Sequence, residues 1–166
     1  MKTEVKTKMK AKATNKRKLI PLLAIFMISG LIYVMLEILW RGYSHWTMFV
    51  CAGVCGIVMM GINDGLLKFD TDFRVQVVVS AFLCTTTELI FGLIFNSDFT
   101  IWDYRDMIGT IHCLNDQINI FFILIWGIIS VFGLPFLDWM QWKLGLGPRP
   151  YYRIGDRYIY PWRRRS

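Results

Sequence analysis

The sequence carries none of the common catalytic signatures. There is no GxxxxGK[ST], so the chain does not hydrolyse ATP through a P-loop, and there is no HExxH, GxSxG or GxGxxG. Histidine is scarce: His45 and His112 are single and far apart, and no CxxC pair supplies metal-ligand spacing. Of the four cysteines, Cys51, Cys55 and Cys84 fall inside apolar stretches and Cys113 lies in a polar one. That is the pattern of small buried hydrophobes, not of a disulfide framework. Acidic residues are also few, 12 against 19 Lys and Arg, which leaves a net charge of +7. From these absences we expect no enzyme, no cofactor and no bound metal.

What is plentiful is apolar surface. Hydrophobic residues make up 55% of the 166 positions and aromatics 16%, too many for an ordinary soluble domain. They concentrate in four blocks, at about 19–40, 46–63, 75–96 and 118–139. A helix needs roughly 20 mostly apolar residues to cross the hydrocarbon core. Lipid offers no partner for open backbone groups, so helix is the physical choice, and the blocks lack the alternation of barrel strands. The expected fold class is therefore all-α, a polytopic transmembrane helical bundle of about four spans with the lipid bilayer as its partner. The first block ends in Glu37, Trp40 and Arg41 instead of a small-residue cleavage site, so it reads as a span and not as a signal peptide.

Lys and Arg set the orientation. Eight lie in residues 1–18, seven follow the fourth block (Lys143, Arg149, Arg153, Arg157, Arg163, Arg164 and Arg165), and Lys68 and Arg74 lie between blocks two and three. Seventeen of the nineteen share one side if both ends are cytoplasmic, which predicts an N-in/C-in, multi-pass protein of the plasma membrane. The chain divides into a basic tail 1–18, expected to be disordered, a bundle 19–142, and a basic aromatic tail 143–166. Residues 1–18 read either as a topology signal or as a contact for anionic head groups or a partner. The Arg/aromatic mixture of 143–166 suits interfacial anchoring, and no nucleic-acid partner is expected.

Chemistry is expected where a carboxylate enters the membrane, because a central charge costs about 2.5–3.5 kcal/mol on insertion scales. Two blocks carry one short of their last two residues. Glu88 shares a helical face with Ala81, Thr85, Gly92 and Asn96, while Val77, Val78, Phe82, Leu89 and Phe91 are left for lipid or packing. In the first block Gly30, Tyr33, Glu37 and Arg41 form a similar stripe, and Glu37 and Arg41, one turn apart, can pair. With Arg41, His45 and Arg105 on the same outer side, the arrangement predicts an outward-opening polar site with Glu88 at its floor. Such a site binds a cation, relays a proton or holds a polar substrate; the other reading is a Glu that locks helix packing. Small residues in block two (Ala52, Gly53, Cys55, Gly56, Gly61) and block four (Gly127, Ser130, Gly133) predict close helix contacts. The outer segment 97–117 reads as a surface helix, a lid or a packed cap, with Trp102, Tyr104, Met107, Ile108 and Ile111 at the interface and Asp103, Arg105 and Asp106 facing water.

Three strings carry a family resemblance: LIYVMLEILWRGYSHWTMFVCAG at 31–53, TELIFGLIFN at 87–96 and IWDY at 101–104. Over about residues 30–135 the chain resembles the bacterial membrane family of ABC-transporter type IV permeases. In that pattern a Glu is followed by RG-x-S-H-W-T-M, and a second Glu by Gly, Asn and then WDY. After Tyr104 the chain departs from it, with Arg105 and MIGTIHCLNDQ. The resemblance implies transport, with a separate ATPase subunit or a homo-oligomer as partner. It strengthens the choice of Glu37, Arg41, His45 and Glu88, which together with Asn96, Trp102, Asp103 and Tyr104 form the expected substrate or ion pathway. The rival class is a non-transporting membrane scaffold or accessory protein that binds a partner or anionic lipids.

Overall fold

The computed structural model describes residues 2–162, with side chains placed from Leu19 onward except that of Asp64. Arg163, Arg164 and Arg165, counted above in the basic tail, lie outside the described residues. Four α-helices dominate: α1 (Lys2–Arg41), α2 (Trp46–Gly61), α3 (Phe73–Phe95) and α4 (Ile120–Lys143), followed by the short strands β1 (Tyr152–Ile154) and β2 (Arg157–Ile159). The all-α bundle expected from the apolar blocks is what forms. Its segments Leu19–Arg41, Phe73–Phe95 and Ile120–Lys143 are each long and apolar enough to cross a membrane. The second block is shorter than the others. It divides into α2, 16 residues long, and a π-helical turn, Ile62–Leu66. Alone, α2 covers about 24 Å, and only with the π turn does it approach the roughly 30 Å of a hydrocarbon core.

The helix of α1 is continuous from Lys2, whereas the composition of residues 1–18 predicts disorder. Lys, Ala, Met and Glu are good helix formers, and neither Gly nor Pro occurs before Pro21. The other helices start at polar caps. His45 accepts from the Thr47 amide at the head of α2, Asp72 from that of Arg74 before α3, and Asn119 from that of Phe121 before α4. Each cap supplies an acceptor for a helix-start N–H that would otherwise be buried unpaired.

Small residues let α1 and α2 approach closely at Gly53 and Gly56, whereas Gly61 and Gly127, also expected at close contacts, face open space. A Cβ at Gly53 would lie 2.6 Å from the Phe26 ring, and one at Gly56 would lie 2.1 Å from the Ser29 hydroxyl. Phe26 and Phe49 meet edge to face at 5.7 Å. Helix α1 packs mainly on α2 and scarcely touches α4; it adds the fully buried Ile25 to a core built mainly by α2, α3 and α4 from Cys51, Cys55, Met59, Ala81, Cys84, Trp126, Leu134 and Leu137. The outward faces of α3 and α4, Val78, Phe82, Phe121, Leu124, Ile128 and Phe132, are exposed apolar surface. Lipid suits such a face and water does not.

The C-termini of α1 and α3 and the N-termini of α2 and α4 meet at one end of the bundle, under segment 97–117. At the other end the chain after α4 turns back. Strands β1 and β2 pair antiparallel, with Tyr152 opposite Ile159 and Ile154 opposite Arg157, around Gly155 at φ 58. This hairpin clasps the α2–α3 connection: the Tyr151 hydroxyl donates to Asp70, Arg153 Nε to the Asp70 carbonyl, and the Gly155 amide to Asp72. Residues 151–159 thus form a folded element docked on the bundle. Tyr152 is buried in it, although the composition of the tail suggests interfacial anchoring alone.

Candidate functional site

Glu88 lies on the inner face of α3 and is 5% exposed. Two neutral donors hold its carboxyl: the Tyr104 hydroxyl at 3.0 Å from Oε1 and the Trp126 indole N–H at 2.7 Å from Oε2. A hydrogen bond to a charged group contributes about 1.5–3 kcal/mol. Two of them are of the same order as the insertion cost of about 2.5–3.5 kcal/mol. The two bonds differ in kind. Indole only donates, so Oε2 is an acceptor whether or not Glu88 is protonated. Phenol donates and accepts, so the Tyr104 bond can reverse when Oε1 takes a proton. Burial, and next the charge of Glu88, push the Tyr104 hydroxyl well above the usual phenol range, so Tyr104 stays protonated.

Rings build the walls. Tyr104 stacks on Phe122 at 4.7 Å, and Tyr33 from α1 stacks on Trp126 at 6.1 Å. Above them segment 97–117 forms a packed cap, fastened mainly by Asn96, which is fully buried. Its Nδ2 donates to the Trp102 carbonyl (2.7 Å) and to Gln117 Oε1 (3.0 Å), and its Oδ1 accepts from the amides of Ile101 and Trp102. Gln117 returns a bond to the Asn96 carbonyl, and its own carbonyl accepts from the Trp102 indole. Gly92 makes room for this, since a Cβ there would lie 2.6 Å from Gln117 Oε1. Trp102 and Tyr104 are buried instead of interfacial, whereas Ile108 is exposed as expected. Among the cap residues a surface α-helix is absent; one 3₁₀ turn, His112–Leu114, stands in its place.

The sequence-derived residues divide into three groups. Glu88 and Tyr104 meet directly, and Asn96 and Trp102 hold the cap over them. Glu37 and Arg41 pair at 2.8 Å as expected; Ser44 donates to Glu37, and Arg41 reaches the Ile101 carbonyl at 2.9 Å, tying the end of α1 to the cap. His45 and Asp103 stand apart. His45 Nδ1 lies 2.8 Å from the Thr47 hydroxyl in its capping role. Asp103 is at the surface, bound to Arg105, whose guanidinium holds its carboxyl down at about 2. The expected outward opening is closed by the cap. Two apolar grooves lie elsewhere: one of about 330 Å³ between α1, α2 and α4, reaching Tyr33 and Trp126, and one of about 560 Å³ between α3, α4 and the cap residues Ile111 and Leu114.

Sequence reasoning missed Trp126 and Gln117, and it missed a second polar cluster at the opposite end. Asp138 of α4 is 1% exposed, and its Oδ2 accepts from Asn63 Nδ2 (2.8 Å) and the Tyr152 hydroxyl (2.7 Å). Gln76 and Gln141 are buried at the same end. Between the clusters the hydroxyls of Ser80 and Ser130 lie 2.8 Å apart in the core. The spacing Gln76, Ser80, Cys84, Glu88, all four apart and all buried, was available in the sequence. Asp138 was hidden by its place at the edge of an apolar block. No protein-family model matches the chain, and no curated protein or solved structure matches it either.

Proposed function

We propose that this chain is a permease-like component of a membrane transport system, with the Glu88 carboxyl as its functional group. The observation that carries the reading is a carboxyl enclosed in an apolar bundle and held only by neutral donors among the described residues. Intramembrane acids of that kind mark ion, proton or substrate paths. The resemblance to the bacterial ABC-transporter type IV permeases points the same way. On this reading the four helical segments are spans with both ends in the cytoplasm of a bacterial cell. The α2–α3 connection with its docked hairpin is then the cytoplasmic face on which a separate ATPase subunit docks.

A pull-down of the tagged chain in mild detergent, read by mass spectrometry, tests this. A stoichiometric ATPase supports it; the chain alone, or with another membrane protein only, overturns the ABC assignment. A second reading, a non-transporting scaffold that binds a partner or anionic lipids, is favoured by the cap, because both Glu88 oxygens are already occupied and the lid is fastened. It predicts that removal of residues 1–18 or 149–166 harms function more than Glu88→Gln does.

A further inference from the structure

We infer that the α3–α4 seam is a proton path, with Glu88 and Asp138 as its two terminal carboxyls. The inference deepens the transport reading by naming the ion. One row of inner-face side chains at four-residue steps, Gln76, Ser80, Cys84 and Glu88, runs down α3, and a second, Trp126, Ser130, Leu134 and Asp138, runs down α4; all eight are buried. The Ser80–Ser130 contact sets the register of the two antiparallel helices. Glu88 lies eight residues from this pair toward the capped end, and Asp138 eight residues from it toward the hairpin end. At about 1.5 Å per residue the two carboxyls stand roughly 24 Å apart along the axis, most of a hydrocarbon core of about 30 Å.

The groups between them can pass a proton. At one end Oε1 of Glu88 takes it as the Tyr104 bond reverses, while Trp126 keeps Oε2 in place. Cys84 and the two serine hydroxyls, one of which also donates to the Trp126 carbonyl, occupy the middle. Gln76 lies one turn below Ser80, and Asp138 receives the proton beside Asn63 and Tyr152. Each transfer breaks one O–H bond, or the S–H bond of Cys84, and makes a new one on the next oxygen or sulfur; the Gln76 carboxamide only orients the water that carries the proton past it, and both carboxyls return to carboxylate. The steps of about 6 Å are too long for direct transfer, so the path needs bridging water. Two observations point to where that water binds: the carboxamide oxygens of Gln76 and Asn63 are buried and have no donor among the described residues. Buried acceptors of this kind are commonly satisfied by internal water. A metal cation fits the row poorly, because each level offers only one or two oxygens and such ions take about six.

The test uses the purified full chain in phosphatidylcholine vesicles loaded with a pH-sensitive dye, with a potassium gradient and valinomycin to set the potential. The expected result is proton entry faster than in protein-free vesicles and unchanged when sodium is replaced by choline. Glu88→Gln and Asp138→Asn each bring it down to the protein-free rate. Ser130→Ala, a smaller change that guards against misfolding of the carboxyl variants, slows it. Wild-type entry no faster than protein-free vesicles overturns the path, as does an undiminished rate in the two carboxyl variants or in Ser130→Ala. A requirement for sodium overturns the choice of ion. Proton entry without an ATPase partner leaves the path standing and removes the ABC reading; an ATPase partner without proton entry does the reverse.

Discussion

At the scale of single residues, the two donors on the Glu88 carboxyl separate a change of charge from a loss of packing. Glu88→Gln keeps an oxygen for Trp126 or Tyr104 and nearly the same volume. Glu88→Ala strands two buried donors, at about 1–3 kcal/mol each, and leaves a cavity. We expect the Gln variant to accumulate and unfold like the wild type, and the Ala variant to lose several kcal/mol, read as an earlier thermal transition in detergent. Equal stability of the two would mean that Tyr104 and Trp126 do not depend on the carboxyl. Glu88 was legible in the sequence because a charge in a long apolar run is conspicuous. Trp126 was not, since a tryptophan in an apolar block reads as packing until the fold turns its N–H toward a partner.

At the scale of elements, the cap is the least regular part of the chain and the part most dependent on one side chain. Asn96 ends α3 and makes four hydrogen bonds into the cap. Asn96→Ala removes them all. We expect the cap to loosen while the helices persist, with hydrogen exchange at the Ile101 and Trp102 amides faster by at least about tenfold, the equivalent of about 1.4 kcal/mol. Unchanged protection there would show that Arg41 and Gln117 hold the cap unaided. The helices themselves were legible from apolar length and caps. The shortness of the second block was legible too, but not the π turn at Ile62–Leu66, since Asn, Asp and Gly in that string read as the start of a loop.

At the scale of the whole molecule, two outcomes check the arrangement. Cys113 in the cap is exposed, while Cys51, Cys55 and Cys84 are buried. If both ends are cytoplasmic, a membrane-impermeant maleimide applied to intact cells labels Cys113 alone; labelling that requires broken cells would invert the orientation. The hairpin clasp responds to acid. Asp72 accepts from Arg74 and from the Gly155 amide, and these bonds, the Arg74 guanidinium first, hold its carboxyl below its ordinary value of 3.8. A depressed carboxyl contributes fully above that value and loses its contribution as pH falls below it. The hairpin should therefore stay protected from proteolysis at neutral pH and at pH 5 and become susceptible only in stronger acid. Asp72→Asn should weaken the clasp at neutral pH, and equal protection in that variant would remove Asp72 from the clasp.

Sequence alone determined the number of apolar blocks, the helical answer to lipid, the charge asymmetry and the choice of Glu88, because each is set by local composition and by the hydrogen-bonding demands of backbone in an apolar solvent. Tertiary structure decided which residues complete the site. Glu88 meets Tyr104 across 16 positions and Trp126 across 38, and Asn63 meets Asp138 across 75. No local spacing encodes such pairings; they arise when buried polar groups, denied water, find one another across the helices.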